Sequence, residues 1–316
     1  MCLNDRPSLA ELLEVRKYFA LPSTALVEKD WIVVYAMRSI AGVDATPFRL
    51  VFAGGTALAR AHRLVRRMSE DVDFKIVAPA DLAMSNNQRR NQLGALRDRI
   101  TARLQAAGFA IDTSDPAQLR SRDANQYTVY NLRYAKPSGV GAQLRPTIQI
   151  ELTYATLRRP SVFLPVSSFL NEAYGRPPEI AAVECVSVTE TAAEKLVGLT
   201  RRTAMILAGL SRDPDPTLVR HIYDLHAVRD HIDKTAAIDL ARQIAQKDAE
   251  EFKNQYPAYH ADIAGETHKA LRVWTVEPAS HEIYGNLVAA MVYGESADFR
   301  TAMATVAGLA DAAWPA

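Results

Sequence analysis

The stretch Val51–Val77, VFAGGTALARAHRLVRRMSEDVDFKIV, decides the fold of this chain. Its pattern predicts a strand, a tight turn at Gly54-Gly55, a short basic helix and a second strand. Asp71 and Asp73 stand at the start of the second strand, and side chains at i and i+2 of a strand share one face. Two carboxylates on one face repel each other unless a cation lies between them. The pair therefore predicts a site for Mg²⁺, which prefers oxygen ligands and usually binds together with phosphates.

The composition is that of an ordinary soluble protein of about two domains: 316 residues, 48% hydrophobic and 23% charged. A net charge of +1 means that nucleic acid would have to bind at local basic patches. We find no apolar run long enough to span a membrane and no signal-peptide pattern at the start. Cys2 and Cys185 provide neither a disulfide framework nor metal-ligand spacing. We therefore expect a cytoplasmic protein with no membrane partner.

The order of the predicted elements favours a mixed α+β fold with two lobes. Alternating strand patterns occur in YTVYNLRY (127–134) and TIQIELTY (147–154), and helical periodicity dominates from about Ser187. We therefore predict an N-terminal domain, 1–185, with a small mixed or antiparallel sheet flanked by helices. A mainly helical C-terminal domain, 186–316, is expected to complete the active-site cleft.

Several segments carry more specific expectations. Helices are predicted over 9–19, 25–41, 56–67, 81–108 and 217–229, with another that Thr189 or Thr191 caps. Arg158–Pro178, rich in proline and serine, predicts a linker or crossover loop, and SRDPDP (211–216) predicts a break. Glu28, Lys29 and Asp30 interrupt the apolar pattern of the second helix, and composition alone favours a surface turn there as much as any other structure.

Glu151 is a candidate third carboxylate. In the strand 147–154, Ile148, Ile150 and Leu152 share one face, whereas Gln149, Glu151 and Thr153 share the other. If this strand lies beside the one that bears Asp73, Glu151 joins the acidic pair. The alternative is a glutamate that faces solvent on an antiparallel strand.

The glycine turn and the basic helix after it fit a phosphate ligand. Glycines let backbone N–H groups approach an anion, although a Gly-Gly pair alone is most often a simple turn. Arg60, Arg63, Arg66 and Arg67 form either a solvated face or a contact with a triphosphate or RNA backbone. A zinc site is disfavoured, because His221, His226 and His231 are spaced by five and do not stack on one helix face.

Five short sequence words connect these features. They are VEKDW (27–31), GGTAL (54–58), RMSEDVDF (67–74), EKL (194–196) followed by Arg201, and RHIYDL (220–225). In these words and their order, over about residues 25–230, the chain resembles the AbiEii/AbiGii nucleotidyltransferase toxins, which include the MenT toxins. That family belongs to the polymerase-β-like nucleotidyltransferase superfamily. One departure is visible, since the family often has an aspartate at the position of His221.

The resemblance implies transfer of a nucleoside monophosphate from an NTP to an acceptor, with release of pyrophosphate and with Mg²⁺ or Mn²⁺ as cofactor. The catalytic residues would be Asp71, Asp73, Lys195 and Asp224. Asp71 and Asp73 would bind the metal, with Glu151 as the third carboxylate. The nucleotide-binding residues would be Gly54, Gly55, Thr56, Arg67, Ser69, Lys195 and Arg220.

Alternatives remain for individual residues. Arg67 could pair with Glu70 or Asp71, and a lysine such as Lys195 is more often a snorkelling surface residue. Asp224 could act as a base, position a ligand or orient Lys195. Arg220 could contact phosphate or pair with Asp224. For Lys29 and Asp30 we predict a structural bridge between the helix and the motif turn.

The resemblance also implies the biological setting. Family members are toxins of toxin–antitoxin, abortive-infection systems, and the implied acceptor is RNA, in particular the 3′ end of tRNA, whose modification would arrest growth. Arg60–Arg67 and Arg89–Arg103 are candidate contacts for its backbone. A cognate antitoxin, an AbiEi-like transcriptional regulator, is the expected partner. The alternatives are a nucleotidyltransferase that modifies a protein or small molecule, and a non-catalytic nucleotide-binding protein, against which the intact Asp71/Asp73 pair argues.

Overall fold

A computed structural model describes residues 6–134, 144–210 and 216–315. The chain divides into two compact units, Met1–Val186 and Ser187–Ala316. Strands and helices both occur in the first unit, whereas the described residues of the second unit form helices. The predicted α+β class is therefore confirmed, while the roles assigned to the two domains remain predictions. Most of the predicted break at 211–216 lies outside the described residues.

A seven-stranded mixed sheet forms the centre of the first unit. Its strands are β1 (Arg49–Ala53), β2 (Asp71–Val77), β3 (Leu119–Arg122), β4 (Tyr127–Arg133), β5 (Thr147–Tyr154), β6 (Val162–Val166) and β7 (Ile180–Cys185). The order across the sheet is β3-β4-β5-β2-β1-β7-β6. Strand β2 is central, antiparallel to β1 and parallel to β5. Its Val72, Phe74 and Ile76 are buried, as expected for a strand inside a covered sheet.

The helices of the first unit begin at serine side-chain caps, except the single turn Gly54–Thr56, which has no side-chain cap. They are α1 (Leu9–Tyr18), α2 (Thr24–Ala41), the single turn α3 (Gly54–Thr56), α4 (Asn86–Ala106) and α5 (Phe169–Ala173). Ser23 caps α2 by accepting a hydrogen bond from the Ala25 N–H at 3.1 Å. Glu28, Lys29 and Asp30 are buried within α2. The surface turn considered for these residues is therefore wrong.

The basic helix predicted over 56–67 is much shorter than expected. Turn α3 continues as one π-helical segment, Ala57–Ala61. The chain then turns at Arg63, whose φ is 57°. A non-glycine residue in this left-handed region cannot continue a right-handed helix, so the segment ends there.

The linker predicted over Arg158–Pro178 is also wrong, because β6 and α5 lie within it. Pro165 obscured the strand in the sequence, and β6 tolerates it because β6 is the edge strand of the sheet. Strands β3 and β7 were not predicted either. Strand β3 has only four residues, which alternate between half-buried and exposed positions, and β7 shows no regular alternation.

Helices alone make up the described part of the second unit. They are α6 (Val188–Leu207), α7 (Val219–Val228), α8 (Lys234–Glu251), α9 (Pro257–Ala261), α10 (Ile263–Val276), α11 (Pro278–Met291) and α12 (Phe299–Ala313). Ser187, and not Thr189 or Thr191, caps α6 by accepting from the Glu190 N–H at 3.2 Å. Among the described helices, none is long and apolar enough to cross a bilayer.

Candidate active site

The glycine turn, Gly54-Gly55, lies directly against polar side chains of the RMSEDVDF word. Gly54 has φ +74°, and a Cβ at this position would lie 1.9 Å from Asp73 Oδ2. A Cβ on Gly55 would lie 2.6 Å from Arg67 Nη2 and 3.2 Å from Ser69 Oγ. Glycine suits both positions because these side chains lie where a Cβ would stand, and at Gly54 the positive φ adds backbone strain to any other residue. The turn therefore brings the predicted residues Gly54, Gly55, Arg67, Ser69 and Asp73 together.

The three candidate metal carboxylates stand on neighbouring strands. Asp71 and Asp73 are two residues apart on β2 and half-buried. Strand β5 runs parallel to β2 with Glu151 directly opposite Asp73. Partners in a sheet register place their side chains on the same face. The predicted neighbourhood of Glu151 is therefore confirmed, whereas its role as a metal ligand stays a prediction.

The donor chemistry at this face fits a hard divalent cation, since carboxylate oxygens are the ligands that Mg²⁺ prefers. Within the described ranges, however, no three His, Cys, Asp or Glu side chains are grouped so as to hold a metal ion. Two of these carboxylates have polar partners. Asp71 Oδ1 contacts the guanidinium of Arg145, and Glu151 Oε1 accepts a hydrogen bond from Gln149. The Arg145 guanidinium thus supplies a positive charge next to Asp71, one of the two carboxylates that we expect to bind a cation.

Arg145 is the site residue that sequence analysis missed. Its Nη2 pairs with Asp71, its Nη1 donates to Gln149 Oε1 at 2.8 Å, and its Nε lies 3.8 Å from Glu70 Oε2. Burial lowers the pKa of Arg145, but the carboxylates of Asp71 and Glu70 outweigh that effect and raise it. The guanidinium is therefore charged. The sequence offers one indication of its position. Arg145 precedes Pro146, and a residue before proline has extended backbone, as at the entry to β5.

A buried ion pair fixes the backbone around Arg145. Lys29 Nζ donates to the carbonyls of Arg145 at 2.6 Å and Thr147 at 2.7 Å, and lies 3.3 Å from Glu70 Oε1. That Glu70 oxygen also accepts from the Arg145 N–H at 2.8 Å. Burial lowers the pKa of Lys29, and the Glu70 carboxylate opposes this shift. Lys29 is therefore a structural bridge, as predicted, and it ties α2 to Glu70 before β2 and to the entry of β5.

Asp30 makes a second buried bridge from α2. Its Oδ2 accepts from the Phe169 N–H at 2.6 Å, and its Oδ1 lies 3.4 Å from Arg60 Nε. Burial raises the pKa of Asp30 to about 6, although Arg60 acts in the opposite direction. Since Arg60 packs over the Phe169 ring at 3.9 Å, it is part of the core of this unit.

The basic face predicted for Arg60–Arg67 needs a correction. Arg60 and Arg67 are 3% and 2% exposed, and only Arg63 and Arg66 of the four arginines face solvent. Arg60 is therefore not available to an RNA backbone. Arg67 instead lies against Gly55 and donates from Nη1 to the Met68 carbonyl at 2.9 Å. That position is consistent with the predicted nucleotide contact, which stays a prediction.

The second unit contains the other predicted catalytic pair. Lys195 of α6 and Asp224 of α7 form an ion pair with Nζ 2.8 Å from Oδ2, and their side chains are 9% and 0% exposed. Lys195 is thus a buried lysine and not a snorkelling surface residue. The contact fits an Asp224 that orients Lys195, while the catalytic roles of both residues stay predictions.

Two further residues from the sequence words lie on these helices. Arg220 is half-buried on α7, one turn before Asp224. Its contact with a triphosphate stays a prediction. Arg201 of α6 has a structural role, because its Nε lies 2.9 Å from Asp248 Oδ2 and its guanidinium packs over the Phe252 ring at 5.0 Å.

Comparison with known proteins identifies one family. A family model described as the nucleotidyl transferase AbiEii toxin of type IV toxin–antitoxin systems matches residues 42–305. The solved structure of MenT4, a nucleotidyltransferase toxin from Mycobacterium tuberculosis, is similar over 74% of this chain and 70% of that one, with 20% identity and a TM-score of 0.43. A likeness this distant carries no argument by itself. No curated protein matches the chain.

Proposed function

The chain belongs to the AbiEii family of nucleotidyltransferase toxins of type IV toxin–antitoxin systems, and we propose that it transfers a nucleoside monophosphate from an NTP to the 3′ end of tRNA. Membership of the family implies an NTP substrate and a cognate antitoxin. The antitoxin that we propose is an AbiEi-like transcriptional regulator. Modification of the tRNA 3′ end would block aminoacylation and so arrest growth.

One observation carries the proposal: the glycine turn and the carboxylate face are parts of one continuous arrangement. The Asp73 carboxylate lies directly against Gly54, and Arg67 and Ser69 lie against Gly55. Glu151 stands opposite Asp73 on the adjacent strand. The groups that we propose for phosphate and for metal are thus only one residue apart in the turn. This juxtaposition is what a metal–triphosphate substrate requires.

Each group of the first unit then has a role. Asp71 and Asp73 would hold Mg²⁺, which when bound neutralises triphosphate charge and lowers the pKa of an attacking hydroxyl. Backbone N–H groups of Gly54 and Gly55 would bind the terminal phosphates, because a glycine backbone admits close approach. The Ser69 hydroxyl and the Arg67 guanidinium would add hydrogen bonds to the same oxygens.

Lys195 of the second unit is a positive charge with a fixed orientation. Lys195 would contact the triphosphate, and Asp224 would hold the Lys195 ammonium in one orientation. Since phosphoryl-group chemistry depends mainly on positioning and charge stabilisation, a preoriented lysine is more effective than a mobile one.

Transfer of label tests the proposal directly. The purified protein is incubated with Mg²⁺, total tRNA and each of the four α-³²P-labelled NTPs in turn. We expect label in the tRNA with at least one NTP. The variant Asp71→Ala should lose this activity, whereas Asp81→Ala, which removes an exposed aspartate just beyond β2, should retain it.

Each outcome is informative. Label that enters only protein would overturn the tRNA acceptor and favour protein modification. Absence of label with all four NTPs would contradict transfer to this acceptor. Full activity in Asp71→Ala would contradict the metal assignment, provided that circular dichroism shows both variants folded.

A further inference from the structure

Arg145 contacts Asp71 of the acidic pair, although it lies outside every sequence word that marks the family. Its guanidinium spans three groups: the Asp71 carboxylate, the Gln149 amide oxygen at 2.8 Å and the Glu70 carboxylate at 3.8 Å. The side chains of Asp71 and Arg145 are 28% and 38% exposed. A charged group is thus bound to a proposed metal ligand at a position that solvent reaches.

The anchoring of Arg145 is asymmetric. Its backbone is fixed, because Lys29 binds its carbonyl and Glu70 accepts from its N–H. Pro146 follows directly and restricts the backbone further. The guanidinium, in contrast, is held by partners at the face where Asp71 and Asp73 emerge. The side chain can therefore change rotamer while the backbone stays in place.

The charges nearby show which carboxylate Arg145 neutralises. Glu70 already faces Lys29 Nζ at 3.3 Å, and both are almost fully buried. Asp71 and Asp73 are half-buried, and two carboxylates this close repel each other. The guanidinium of Arg145 pairs with Asp71 of this acidic pair.

We propose that Arg145 is a built-in counter-cation of the metal site, which neutralises Asp71 in the metal-free protein and leaves that carboxylate when a divalent cation binds. The proposal rests on the proposed function, in which Asp71 is a metal ligand. Arg145 then acts as a positioning residue: it holds Asp71 in place without metal and sets the affinity at which metal enters.

The consequence is a competition that can be measured without catalysis. A neighbouring opposite charge stabilises an ionised carboxylate by an amount equal to one to three units of pKa. Removal of the competing guanidinium should therefore raise the affinity of Asp71 for another cation by about tenfold or more. The exposure of Arg145 means that the protein should still fold without it.

The experiment measures Mn²⁺ binding by the electron paramagnetic resonance signal of free Mn²⁺, at constant ionic strength and without nucleotide. Arg145→Gln should bind Mn²⁺ about tenfold more tightly than wild type. The matched control is Arg133→Gln, which removes one exposed charge from β4, two strands away from β2. Its affinity should stay within about twofold of wild type, because solvent screens a distant exposed charge.

Two further variants distinguish the failures. If Asp71→Asn abolishes binding but Arg145→Gln binds no more tightly than wild type, the counter-cation role is overturned and the metal site stands. If Asp71→Asn binds as wild type does, the metal assignment and this inference both fail. Should Arg145→Gln not fold, Arg145→Met replaces it. Methionine keeps an unbranched stem without the charge, so this variant should again bind Mn²⁺ more tightly than wild type, and an unchanged affinity would overturn the proposal.

Discussion

Each unit contains an ion pair between an aspartate and a basic side chain, and the side chains of the two pairs differ in their exposure to solvent. In the first unit Asp71 and Arg145 are 28% and 38% exposed. In the second unit Asp224 and Lys195 are 0% and 9% exposed. Exposed pairs contribute little to stability and exchange readily, whereas loss of one partner from a buried pair leaves an expensive charge.

The difference separates an exchangeable charge from a fixed one. A carboxylate that must accept a metal benefits from a partner that solvent can replace. A lysine that must present one positive charge benefits from a partner that cannot leave. The sequence neighbours agree with this division, since α6 packs Leu196, Val197 and Leu199 into the core beside Lys195, whereas Asp71 begins its strand at a half-buried position.

The largest effect should follow from breaking the fixed pair. Lys195→Met leaves the carboxylate of Asp224 buried without its lysine, so we expect a loss of about 3 kcal/mol in the free energy of unfolding. Nucleotide transfer should fall by at least about a thousandfold, or about 4 kcal/mol of activation free energy. Denaturant unfolding and the labelled-NTP assay measure these two quantities.

The matched change in the first unit is Arg145→Gln, which should cost less than about 1 kcal/mol because solvent reaches and screens that half-buried pair. A double variant, Lys195→Met with Asp224→Asn, should recover most of the lost stability but none of the activity. Equal stability losses for Lys195→Met and Arg145→Gln would remove the distinction between the two pairs.

A smaller effect is expected at the glycine turn. Gly54→Ala places a Cβ where the Asp73 carboxylate lies and also strains a backbone with φ +74°. We expect transfer to fall by about a hundredfold, because displacement of a catalytic group by about 1 Å has that effect. The assay is again transfer of labelled nucleotide, with the free energy of unfolding measured in parallel.

The control for Gly54 is Gly175, which has φ +60° and no atom within 4 Å of an added Cβ. Gly175→Ala should incur the same backbone strain, about 1 kcal/mol, with transfer unchanged. If both variants lose transfer equally, strain and not carboxylate displacement accounts for the loss.

The parts of the site that sequence predicted best are those with local patterns. Asp71 and Asp73 follow from their spacing, and Glu151 follows from the alternation of its strand. Arg145 could not be predicted in this way, because its contact with Asp71 depends on the parallel pairing of β2 and β5, a non-local feature. Periodicity reports which face a residue occupies, but it does not report which distant strand lies beside it.

The errors in the fold have similar causes. Composition gives no sign that Lys29, Asp30 and Arg60 are buried, because each residue is charged and its partner is remote in sequence. Pro165 makes edge strand β6 resemble a linker in the sequence. Proline is rarely found in a central strand, but an edge strand tolerates it. In each case a tertiary partner overrode a local preference.

The most direct test of the central claim, that the Asp71/Asp73 face holds a metal for a triphosphate, is a calorimetric titration. The titrant is the α,β-methylene analogue of the NTP that the transfer assay selects, added with Mg²⁺ or with EDTA. Wild type should bind the analogue at least about tenfold more tightly with Mg²⁺, as expected for linked binding of two ligands. Asp73→Asn should bind it equally under both conditions. An Asp73→Asn variant that keeps the full Mg²⁺ dependence of wild type would contradict the account.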